Sequence, residues 1–115
     1  ISELYRGGVT MELEPRFDAA MLETHNRAKS EMGYNASRFI HMLHEHGGVG
    51  TAQMLLHSST VSEGYTAMWE QGRLDLTVEA LILNPVYASL FSDSEREIAK
   101  RRLADYGYSV DDSAE

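Results

Sequence analysis

Apolar residues recur at helical spacing along most of the chain, and the runs break at glycine, proline or short Ser/Asp/Asn clusters. Phe17, Met21, Thr24 and Ala28 fall on one face, flanked by Ala20 and Met32, which predicts a helix from about Pro15 to Met32. Pro15 suits its first turn, Glu12 and Glu14 suit the positive end of its dipole, and Gly33 ends it. A second helix begins at Asn35 or Ser37, aligns Phe39, Met42, Leu43 and His46, and is stopped by Gly47-Gly48. A third, from about Val49 to His57, carries Ala52, Leu55 and Leu56 on its apolar side.

A fourth helix, from about Ser62 to Gln71, buries Tyr65, Met68 and Trp69 and stops at Gly72. Should Trp69 instead be exposed beside Tyr65, a partner groove becomes the better reading of that face. Asp75 caps a fifth helix that aligns Leu74, Val78, Leu81 and Ile82. Asn84-Pro85 breaks it and opens a short helix with Val86, Tyr87, Leu90 and Phe91. Ser92-Asp93-Ser94-Glu95 has capping-box spacing, so the last helix spans about Asp93 to Tyr106, with Ile98, Ala99, Leu103 and Tyr106 inward. No segment sustains a strand period. The pattern predicts an all-α fold, a compact single-domain bundle of five to six short helices.

Composition narrows the function classes. With 115 residues and 43% hydrophobic content, one domain with its own core is expected. The net charge of −8 opposes a general affinity for nucleic acid or anionic membrane. No apolar run is long enough to span a bilayer, so no membrane partner is expected. The absence of cysteine excludes disulfides, thiolate metal sites and cysteine nucleophiles, and fits a cytoplasmic protein.

The chain starts with Ile1, and Arg6-Gly7-Gly8 precedes Met11. Codons for that tripeptide spell a purine-rich ribosome-binding sequence, so residues 1–10 are expected to be a translated leader, or else a flexible tail. The helical domain is expected over residues 11–108, followed by a frayed acidic end at 109–115.

Four constellations bear on chemistry. His41, His44 and His46 form H-x-x-H-x-H; His41 and His44 are neighbours on a helix, a weak candidate metal pair, whereas His46 faces another way. A solvated pair is the favoured reading, and neither a metal nor a cofactor is expected. The corner from Asn35 to His57 poses a helix-turn-helix question, with Thr51, Gln53 and His57 as candidate base readers. No Lys or Arg occurs from Phe39 to Gly72, and a groove-bound helix needs cations beside it for phosphates. Arg96, Lys100, Arg101 and Arg102 make the only basic cluster. Acidic residues early in that helix and basic ones late complement the macrodipole; nucleic-acid or anion contact through Arg96, Lys100 and Arg101 is the alternative. Finally, the charged stretch EQGRLDLTVE lies between two apolar helices. It makes a surface of Glu70, Arg73, Asp75 and Glu79 the candidate partner site, set against the simpler reading in which Arg73 pairs with a nearby carboxylate to fix the corner.

The stretches GYNASRFIHMLHEHGG, EGYTAMWEQGRLDLTVEALIL and LFSDSEREIAKRRLADYGY together resemble a small bacterial all-helical domain family of unassigned activity. The likeness rests on Gly33-Tyr34, Gly47-Gly48, Gly64-Tyr65, Trp69-Glu70, the run Arg73 to Glu79, and Arg102-Leu103. Such domains occur alone and attached to others, which implies an accessory or interaction module and carries over no catalytic residue. The expected function is therefore a non-enzymatic module that binds a protein partner and is open to homo-oligomerisation. A nucleic-acid-linked accessory domain is the alternative. An enzyme is third, since it needs a pocket that holds Glu79 or His41 with a partner residue.

Overall fold

The computed structural model describes residues 13–108; the expected leader at 1–10 and the acidic end at 109–115 lie outside them. Phe17, Met21, His25 and Ala28 form the buried stripe of α1 (Leu13–Met32), and the rest of the described chain packs around that stripe. After Gly33 come α2 (Ser37–Leu56), α3 (Glu63–Glu70), a 3-10 turn (Leu74–Leu76), α4 (Val78–Ile82), a second 3-10 segment (Pro85–Leu90) and α5 (Asp93–Asp105). The fold is an all-α single-domain bundle, with five α-helices and no strand among the described residues.

Several terminators act as their residue types demand. Gly72 adopts φ 72°, and Arg73 N–H donates to Met68 O, the closing bond of a Schellman turn. Ser92 accepts from Glu95 N–H while the Glu95 carboxylate accepts from Ser92 N–H, which completes the capping box of α5. Asn84 caps the segment that Pro85 opens.

One local expectation is met and two are corrected. The stop at Gly47-Gly48 divides α2 into two helical segments that meet at a kink, where Gly47 has a non-helical backbone with φ 74° and ψ 174°. The bend is tolerated because Asp18 of α1 accepts from Gly48 N–H at 2.7 Å, which satisfies an amide that the interrupted ladder would strand. The N-cap of α2 is Ala36, which offers no side-chain oxygen, rather than Asn35 or Ser37. Thr77, not Asp75, caps α4, accepting from Ala80 N–H while its hydroxyl donates to Leu74 O.

Phe17 is fully buried between Tyr87 and Phe91, its ring meeting theirs edge-on at 5.1 and 5.3 Å. Ala52, Leu56, Ile82, Ala99 and Leu103 bring α2, α4 and α5 onto the same core. Trp69 does not join it. The eight-residue α3 turns Tyr65 and Met68 inward, so Trp69, one position further round, is 47% exposed and leans on Tyr106 at 5.5 Å.

Candidate functional site

A cleft of about 490 Å³ opens between the C-terminal half of α1, both segments of α2, the chain from Ser58 to α3, and the start of α4. Its walls are mainly apolar: Phe39 and Met42 come from the first segment of α2, Met54 from the second, and Met68 from α3. Met54 is 47% exposed although Leu56 is buried, because two helical steps, about 200°, turn it off the core face and onto the cleft wall. Such a mainly apolar concavity with some polar groups is the usual form of a binding site.

Polar side chains line it as well, among them Thr24, His25, Tyr34, Asn35, Arg38 and Glu63, while others are committed to the fold. Glu79 is only 4% exposed and pairs with Arg102, Nη1 to Oε2, at 2.9 Å. Arg102 also donates to the carbonyls of Leu55, Leu56 and Ser58, so one guanidinium both neutralises Glu79 and caps the end of α2. Tyr65 O–H donates to Arg102 O at 3.0 Å, and burial pushes its phenol above the ordinary range, which keeps it a neutral donor. The Thr77 hydroxyl is already used at the cap of α4.

His25 differs. It is 9% exposed, lines the cleft and stacks on Phe39 with ring centroids 6.2 Å apart. Burial, with Lys29 nearby, lowers its pKa, so the imidazole is neutral at pH 7. Neither ring nitrogen has a hydrogen-bond partner among the described residues. Both still reach solvent, for the sole fully enclosed side-chain polar atom without a partner there is Thr51 Oγ1.

The expected partner surface is dispersed. Glu79 is not on the surface at all; its carboxylate is buried in the pair with Arg102. Arg73 makes a two-pronged pair with Asp75, at 3.0 and 3.1 Å, and reaches Glu31 of α1 at 2.9 Å. Arg27 joins the same Glu31 at 3.0 Å, so Arg73 ties the corner to the end of α1. Glu70 is exposed at the end of α3.

The basic cluster is likewise divided. Arg96 donates to Ile82 O at 2.7 Å, Arg101 pairs with Glu97 at 3.6 Å, and Arg102 points inward; Lys100 is exposed on α5. The three candidate base readers near the end of α2 are buried or engaged. Thr51 is fully buried, while Gln53 and His57 both contact Glu95, at 3.3 and 3.1 Å. His41 is 79% exposed beside Glu45 at 3.6 Å, which His46 also approaches at 3.7 Å, and His44 is exposed. Among the described residues no three His, Asp or Glu side chains converge to hold a metal.

His25 was the residue hardest to single out. Its signal is positional: Phe17, Met21 and His25 are spaced by four and share the buried stripe. Comparison of the chain with family models, curated proteins and solved structures gives no match.

Proposed function

We propose that this domain is a non-enzymatic interaction module of the bacterial cytoplasm that seats an apolar group of a protein partner in the cleft between α1, α2 and α3. The observation that carries this reading is the cleft itself, an open concavity of about 490 Å³ with methionines from two helices on its walls. Methionine side chains adapt to differently shaped occupants, which suits a surface for protein segments.

An enzyme reading has less support. Glu79 does line the cleft, yet it is paired with a guanidinium that itself serves three carbonyls. The hydroxyls of Tyr65 and Thr77 are engaged with backbone groups, and no lining hydroxyl hydrogen-bonds His25 among the described residues.

Peptide display against the folded domain tests the proposal. Selected peptides should share an apolar anchor and lose at least tenfold in affinity on Met54→Lys, a change on an exposed position that the fold tolerates. Peptides that bind Met54→Lys undiminished, or a selection that yields no binder, would overturn it.

A further inference from the structure

We infer that His25 makes the cleft selective for an aromatic group with a hydrogen-bonding tip, such as a tyrosine side chain, over an all-carbon ring of the same shape. The inference rests on the cleft reading above and goes further by naming the chemistry of the anchor.

The wall decides the shape. His25 and Phe39 lie near-parallel, at an interplanar angle of 20° with centroids 6.2 Å apart, which puts aromatic rings on the cleft wall beside the thioethers of Met42 and Met54. A planar ring lies against such a surface and gains sulfur contacts from Met42 and Met54.

The imidazole decides the polarity. As a neutral ring it offers one N–H donor and one bare nitrogen acceptor, and neither is used within the described residues. Both are open to solvent while the cleft is empty. An occupant that covers them without replacing that solvent leaves a buried polar group unsatisfied, which costs about 1–3 kcal/mol. A phenol O–H restores the bond and avoids that cost. Sites built around such a group reject the analogue that lacks it more strongly than a purely apolar pocket could.

Side-chain mimics provide the test: p-cresol for tyrosine and toluene for phenylalanine, titrated against protein carrying labelled methionine methyls. Both probes should shift the Met42 and Met54 methyl signals, with p-cresol bound about tenfold more tightly, the effect of one net hydrogen bond. His25→Leu should bring the two affinities to within about twofold, while His25→Gln, which keeps a donor and an acceptor, should retain part of the preference. A readout on wild-type protein does not depend on any variant folding. The His25 ring nitrogen signals should move with p-cresol and not with toluene. Equal binding of the two probes, or a preference that survives His25→Leu, would overturn the role of His25 and leave the cleft reading standing. Failure of both probes to shift the methionine methyls would remove both.

Discussion

Arg102 of α5 meets Glu79 of α4 at 2.9 Å, and the same guanidinium holds three carbonyls at the end of α2. A buried carboxylate is stable only while its cation is present. Arg102→Met strands Glu79 and uncaps α2, and we expect a loss of about 3–5 kcal/mol in urea unfolding. Glu79→Gln keeps a hydrogen-bond acceptor for Arg102 and should cost clearly less. Equal, small effects for both variants would contradict the central role of the guanidinium.

Gly48 is a tighter constraint than the turn it belongs to. A Cβ there would lie 2.6 Å from Asp18 Oδ1 and 2.9 Å from the Phe17 ring, with the Asp18 backbone at 3.3 Å. Gly48→Ala should therefore cost about 1–3 kcal/mol through overpacking against α1. Gly47→Ala meets open space and is penalised only through its φ of 74°. Thermal unfolding of the two variants should rank Gly48→Ala as the less stable.

The cap of α5 should show a signature in pH. The Ser92 backbone N–H, and then His57, hold the Glu95 carboxylate below its ordinary pKa. The folded state thus binds fewer protons than the unfolded one in that range, so the contribution is complete above the ordinary carboxylate range. It is lost as pH falls through the folded value. Stability differences between wild type and Glu95→Gln should be largest near pH 7 and shrink below pH ~4. Ser92→Ala should cost about 1 kcal/mol at pH 7.

The cluster of Arg27, Glu31, Arg73 and Asp75 is open to solvent, and salt should screen it. Arg73→Ala should lower the urea midpoint in dilute buffer, and most of the difference should vanish in 1 M sodium chloride. A salt-independent loss would show that Arg73 acts through packing rather than charge.

Helix content and most boundaries were legible because they depend on neighbours in sequence. Gly33, Gly72 and Gly107 all take positive φ just past helix ends, and the Ser92–Glu95 box formed as spaced. The break at Gly47-Gly48 was legible from the glycines themselves, but its brace was not, for it is Asp18, thirty residues earlier, that supplies a carboxylate to Gly48. The same holds for Glu79. On its own helix it has the look of a surface charge, and only Arg102, 23 positions away, explains its burial. The reading in which Arg73 fixes the corner by pairing could be formed locally, since Asp75 is two residues away; Glu31 could not be foreseen. The cleft escaped notice for a similar reason: its walls come from four separate segments, and no one of them carries a signature of concavity.

The bend in α2 has a consequence for how the cleft could be retuned. Phe39 and Met42 lie before Gly47 and Met54 lies after it, so the angle at one backbone position sets the gape between two walls. Asp18, which braces that angle, is absent from the lining. Aperture and surface chemistry are thereby separable: a substitution at Asp18 changes which diameters are admitted while every contacting side chain stays the same.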